Sequence, residues 1–375
     1  MNRCQNCNLP EGKFSVVLND KGVCNYCDYF EQNRSYLSNV RDREQLLLTR
    51  FGKLKDKYEY DAVVGLSGGK DSTYVLCRMV EKYNLKVLAV TFDNGFLTDF
   101  ARESIKNTVG KLGVDHIYYK PDWSIHKKFY RAAVQKLGDP CIACAVAGYF
   151  LAIKECYEHE VPFFVHGRTP FQMYRNFFQN SQDMLLGLMK CNLMEHSFAA
   201  IAPVYRAINE YAKQAIGGIA DGPQDAKEIT TEFFADSSRL TDEFVPEFLA
   251  YFLFEEYDEE YIKRSLAHSV GWSRPATDNL LGHYDCALHD AGAYLFRQLN
   301  DVSVLEPDVA VMVRLGALDK EKAEELVRIN EPSTADTEKS LNTLCALCDL
   351  SREDLDRTIV SLREARVSKD SHYGR

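Results

Sequence analysis

The chain holds no run of 18 consecutive apolar residues, no apolar core near its N-terminus, no low-complexity block and no internal repeat. The first absence argues against a membrane span and the second against a secretory signal, so no membrane partner is expected and the cytosol is the expected compartment. The formal net charge of −10 lacks the basic excess that a general nucleic-acid binder uses on phosphates, although a local basic groove stays open. What is present is the composition of an ordered protein of 375 residues, 46% apolar and 27% charged, long enough for two or three domains. It also carries 12 cysteines, which in an unsecreted chain point to metal or thiol chemistry rather than disulfides.

Four of those cysteines lead the sequence. Cys4, Cys7, Cys24 and Cys27 form two C-x2-C knuckles separated by "VVLNDKGVC" and its flanks. Each knuckle turns two thiolates toward one point, and two knuckles complete a tetrahedral sulfur site. The spacing predicts a structural zinc ribbon over residues 1–30, with zinc closed off by protein ligands, followed by a linker helix over 31–58.

The stretch "YDAVVGLSGGKDSTYVLCRMV" predicts a buried strand over 61–66, a loop Ser67-Gly68-Gly69-Lys70-Asp71-Ser72, and a helix from Thr73 to about Lys82. Glycines let a backbone approach an anion, and the helix start behind them offers free amides and the positive end of its dipole. Ser67 and Ser72 add hydroxyls and Lys70 a charge. The spacing is too short for a Walker loop. Further strands are expected at 86–95, ending in Asp93-Asn94-Gly95, at "VDHIYYKP", and at "VPFFVHG", with amphipathic helices between them. Alternation of this kind predicts an α/β fold, a doubly wound parallel sheet with ligands at the C-terminal strand ends. There the loop, Asp93, Asn94, His166, Gly167 and Arg168 would meet.

The loop matches the SGGxDS signature of the PP-loop ATP pyrophosphatases. That resemblance implies a core over 59–178 that binds ATP, with Ser67, Gly68, Gly69, Lys70, Asp71 and Ser72 on the pyrophosphate. It further implies that Asp93, Asn94 and Gly167 lie beside the nucleotide, and that an adenylated substrate forms with Lys70 and Asp71 taking part. Mg²⁺ would accompany ATP, though no carboxylate spacing singles out its ligands. Over most of its length the chain is similar to N-acetyl-sugar amidotransferases, in "GVCNYC", the loop, "VPFFVHGR", "YIKRSLAHSVGWSRP" and "VMVRLGALDKEKAEELVRINEP". That family implies ammonia from a partner glutaminase. Where it has an acidic residue after the glycine, this chain has Arg168. Arg168 and Arg175 suit a phosphate or carboxylate on the substrate, or else are solvated loop charges.

"DPCIACAVAG" is the second departure. Asp139-Pro140 starts a helix, placing Cys141 and Cys144 in its first turn, where the dipole favours thiolates. The pair resembles that of tRNA 2-thiouridine and 2-thiocytidine synthetases, which implies a distant third cysteine and a [4Fe–4S] cluster with one open iron. Cys286, in "LLGHYDCALHDAGAYLF", is the candidate third member. Three readings stay open for Cys141, Cys144 and Cys286: a cluster, catalytic or persulfide-bearing thiols, and plain core, with a second zinc if His283 or Asp285 joins. Cys77 and Cys156 fit core faces, as do Cys345 and Cys348, while Cys191 has no supporting context.

Residues 179–300 read as a helical insertion on the substrate side and 301–375 as a helical end domain or homodimer surface. The function expected is adenylation of an acceptor oxygen followed by its replacement with sulfur. Nitrogen transfer is the alternative, and a non-enzymatic zinc-ribbon module on a degenerate nucleotide fold is a third reading. The acidic balance favours a small acceptor, nucleotide or sugar, and leaves tRNA open; a sulfur donor or a glutaminase would be the partner.

Overall fold

The apolar run at 61–66 does become the centre of the protein. The structure, a computed structural model, describes residues 2–34, 43–173, 198–239, 241, 243–275 and 284–370. Arg175, Cys191 and His283 lie outside them.

Five strands form one parallel sheet in the order β3-β2-β1-β4-β5. These are β1 (Ala62–Gly65), β2 (Val87–Phe92), β3 (Asp115–Tyr119), β4 (Phe163–His166) and β5 (Glu247–Ala250). β1 is central because both its faces are covered: Ala62, Val63 and Val64 are each fully buried. A parallel strand covered on both sides needs an unbroken apolar run rather than an alternating one.

The helices before and between these strands are α1 (Asn25–Gln32), α2 (Glu44–Leu54), α3 (Lys70–Cys77), α4 (Asp99–Leu112), α5 (Trp123–Leu137) and α6 (Pro140–Glu158). After β4 come α7 (Phe198–Ile219), α8 (Pro223–Phe233), α9 (Glu259–Ser269), α10 (His289–Asn300), α11 (Glu306–Arg314), α12 (Lys320–Ile329), α13 (Thr334–Cys348) and α14 (Arg352–Asp370). The order reverses between β1, which continues to β2, and β4 on its other side. That switch opens a crevice at the C-terminal strand ends.

Two expectations shift. The helix after the 67–72 loop stays α-helical only to Cys77, and Arg78–Lys82 continues as a π-helical turn. The stretch "EFVPEFLAYFLF", read from its pattern as helical, instead supplies the edge strand β5, behind Pro246. A proline blocks a helix through that point, and short apolar runs look alike in either state.

α6 is long and apolar enough, by length and composition, to cross a membrane, with a mean hydropathy of 1.2. In the fold it packs on β1, β2 and β4, where Ala152 and Cys156 are buried among Val63, Leu88, Val90 and Phe164. Its apolarity therefore has an internal use.

Candidate functional site

The turn after β1 is closed by its own serines. Ser67 Oγ and Ser72 Oγ lie 3.1 Å apart, and the Ser72 hydroxyl also accepts from Ser67 N at 3.1 Å. Gly68 has a φ of +83°, and a Cβ there would stand 2.5 Å from Ala101 O in α4. Only glycine fits that left-handed, crowded position. Gly69 is the N-cap of α3, and no side chain caps the helix start; the Gly69 amide itself donates to Ser67 Oγ at 3.3 Å. Gly167, just past β4, closes the other side: a Cβ on it would meet the carbonyl carbon of Asp71 at 2.8 Å.

Lys70 and Asp71 pair with each other and with Tyr257. Lys70 Nζ contacts Asp71 Oδ2 at 3.0 Å and donates to Tyr257 OH at 2.7 Å, and that hydroxyl donates to Asp71 Oδ1 at 3.1 Å. Asp93 is likewise committed, accepting from Tyr118 OH at 3.0 Å and pairing with Arg102 at 3.1 Å. The cation of Arg168 stacks 4.7 Å above the Tyr149 ring, without a carboxylate partner among the described residues. His166, fully inside, accepts from Arg168 N through Nδ1 at 3.3 Å, and burial, then the Arg168 charge, hold its pKa well below the usual histidine range.

Of the three cysteines expected at this end, Cys144 and Cys286 come together, and Cys141 lies one turn from Cys144 at the start of α6. Asp139 caps α6 by accepting from Cys141 N at 2.8 Å, as the Asp-Pro start predicts. Asn94 donates from Nδ2 to Cys144 Sγ at 3.3 Å. Residues 284–287 then lie antiparallel beside 96–98: Leu97 bridges Cys286, Ala287 N donates to Phe96 O at 2.8 Å, and Thr98 N donates to Asp285 O at 3.2 Å. This extension carries Cys286 to the same place, where Cys144 and Asn94 both act on its thiol. Cys141, the exposed member, lies where a Cβ on Gly292 of α10 would touch its sulfur at 3.2 Å.

Burial, followed by the charge of Cys144, pushes the Cys286 thiol up to about 12. Burial also raises Cys144, against the hydrogen bonds of Asn94 and Tyr130. The helix-dipole lowering expected for Cys144 is thus outweighed by desolvation. Asp285, next to Cys286, turns the other way. Its Oδ2 lies 3.3 Å from where a Cβ of Gly69 would stand, so its carboxylate faces the 67–72 loop. Its position is not legible from spacing, since it depends on the 284–287 extension.

A second centre sits at the N-terminus. Cys4, Cys7, Cys24 and Cys27 place all four sulfurs within 4.8 Å of one another, with Cys4 to Cys27 at 3.8 Å and Cys7 to Cys24 at 3.6 Å. A tetrahedral Zn²⁺ with bonds near 2.3 Å needs sulfurs about 3.8 Å apart, so this donor set fits zinc without rearrangement. Among the described residues no other group of three metal-binding side chains converges that closely. Cys141, Cys144 and Cys286 therefore do not surround a single ion.

Of the remaining cysteines, Cys77, Cys156 and Cys348 are buried among apolar neighbours and Cys345 is half-buried in α13.

Fold and site together define a doubly wound α/β protein with a glycine loop at its switch point and a four-cysteine group at its N-terminus. Comparison with known proteins adds little to that class. No protein-family model matches the chain. It is 29% identical, over 146 residues, to an uncharacterized protein of Methanocaldococcus jannaschii, a match covering 38% of this chain. The chain spans about half the length of that relative, 50%. The solved U34-tRNA thiolase NcsA from Methanococcus maripaludis, with its [4Fe-4S] cluster, superposes at a TM-score of 0.34 and 13% identity, covering 88% of this chain and 89% of that one. A superposition of that quality transfers no activity.

Proposed function

We propose that the chain is an ATP-dependent, AMP-forming transferase that activates an acceptor oxygen and replaces it with sulfur. One juxtaposition supports this reading above the rest. Asp285 faces the loop at Gly69, and the next residue, Cys286, faces Cys144 and Asn94. An anion cradle and a group of thiols thus stand on either side of one short strand.

In the first step the acceptor oxygen attacks the α-phosphorus of ATP. A P–O bond forms, the bond to the β-phosphate oxygen breaks, and pyrophosphate leaves. The α3 amides and the Ser67 and Ser72 hydroxyls hold the phosphate charge. Mg²⁺ beside Asp285 would neutralise the remainder. In the second step sulfide attacks the carbon bearing AMP. A C–S bond forms, the C–O bond breaks, and AMP leaves. With inorganic sulfide as donor no oxidant or reductant is consumed. A [4Fe–4S] cluster on Cys141, Cys144 and Cys286 would supply an iron at which sulfide is held ready. Arg168, stacked on Tyr149, would take an anionic group of the acceptor, a nucleotide or sugar phosphate, or the backbone of a tRNA.

Iron and acid-labile sulfide should bind the wild-type protein on anaerobic reconstitution and be lost in Cys286→Ser, which keeps its fold and its ATP affinity. AMP release in the presence of candidate acceptors should then require sulfide. If Cys286→Ser stays fully active, with ammonia driving AMP release instead, nitrogen transfer replaces this reading. If ATP does not bind at all, the nucleotide reading itself falls.

A further inference from the structure

Arg314, the last residue of α11, is 8% exposed and reaches the opposite end of the chain. Its Nε donates to Cys27 Sγ at 3.4 Å and its Nη2 to Cys7 Sγ at 3.2 Å, one sulfur from each knuckle. The guanidinium also lies 5.8 Å above the Tyr26 ring. Around it the ribbon and the C-terminal helices meet elsewhere: Arg3 pairs with Glu306 at 2.8 Å, Lys13 with Asp301 at 3.3 Å, and Phe14 stacks on Phe296 at 5.9 Å.

A buried guanidinium is costly unless its charge is compensated. Four neutral thiols would compensate it poorly. Four thiolates around a divalent ion carry two net negative charges and accept hydrogen bonds strongly. The fork geometry of arginine spans two of them, which a lysine cannot do.

We propose that Arg314 is an outer-sphere partner of the N-terminal metal, and that metal loading and the seating of α11 on the ribbon are one event. The metal then sets the attachment of the C-terminal helices as well as the shape of its own knuckles. This inference stands independently of any reading of the nucleotide loop.

The decisive measurement uses the unaltered zinc-loaded protein. Hydrogen exchange is followed across Asn2–Gln32 and Glu306–Arg314 before and after removal of zinc by a chelator. Amides of α11 should lose protection together with those of the ribbon. If the ribbon amides exchange freely while Glu306–Arg314 stay protected, the coupling is wrong and α11 is held by its rim pairs alone. Second, Arg314→Met should release zinc to a chelating dye about 10- to 100-fold more readily than wild type, the usual effect of losing an outer-shell partner. Arg314→Lys should fall between. Zinc release unchanged in Arg314→Met would remove the arginine from the metal centre.

Discussion

Asn94 uses both ends of its side chain. Its Oδ1 accepts from Phe96 N at 2.8 Å, which fixes the orientation of the amide and turns Nδ2 onto Cys144. The sequence suggests a nucleotide contact, because the residue ends a strand beside the expected ATP. Strand position is legible in a sequence, but the direction of a side chain depends on which backbone amide claims its oxygen. Two outcomes separate the roles. Asn94→Ala should reduce the iron bound after reconstitution by roughly 10- to 100-fold in affinity. Its ATP affinity, followed by calorimetry, should stay within about twofold of wild type, because a lost neutral hydrogen bond at the thiols does not touch the nucleotide. A large loss of ATP binding with unchanged iron would return Asn94 to the nucleotide.

Among the elements, the 67–72 loop, α3 and the four strands β1 to β4 were legible because each is a local pattern: a glycine pair, a helix start, an apolar run. β5 was not, because "EFLA" is too short to separate strand from helix by periodicity. The contact that makes the loop rigid is likewise invisible locally. Gly167 touches Asp71 and Ser72 from a different strand, with a hypothetical Cβ 3.0 Å from Ser72 N. Gly167→Ala must therefore push the loop aside. ATP affinity should fall by more than about tenfold, and the melting temperature by several degrees, as for about 1–3 kcal/mol of overpacking in a domain. Gly110→Ala is the matched control: it lies inside α4 with no atom within 4 Å of its added methyl. It should leave ATP binding unchanged and raise stability by up to about 1 kcal/mol.

Across the whole molecule one carboxylate ties α3, the π-helical turn behind it and the region after β5 together. Glu255 accepts from Tyr74 OH and Tyr251 OH and pairs with Arg78 at 2.7 Å and Lys82 at 2.9 Å. Burial alone would raise its pKa, but the hydrogen bonds from Tyr74, Lys82, Tyr251 and Arg78 win and bring it down to about 2. A depressed carboxylate stabilises the fold above its unfolded value and loses that stabilisation as pH falls. Stability should therefore drop between about pH 4.5 and pH 2, by roughly 3 kcal/mol from this group. In Glu255→Gln the drop over that window should shrink, while stability at pH 7 falls; urea unfolding at pH 7, 4 and 3 reads both. A Gln variant as acid-sensitive as wild type would place the sensitivity elsewhere. At this scale the sequence says least. The C-x2-C spacing announces the ribbon, yet nothing near Arg314 in sequence announces its partner, because charge compensation between distant segments leaves no local period.

The pairing of Cys286 with Leu97 also bears on how the protein is made. During translation Cys141 and Cys144 leave the ribosome long before Cys286 exists. Two thiols hold stray iron poorly, and their own helix is meanwhile free to settle on β1, β2 and β4. Only when the 284–287 segment lies down beside residues 96–98 does the third sulfur arrive, with Asp285 taking its place over the loop in the same movement. Order of synthesis thus delivers Cys286 only after all five strands of the sheet have been made.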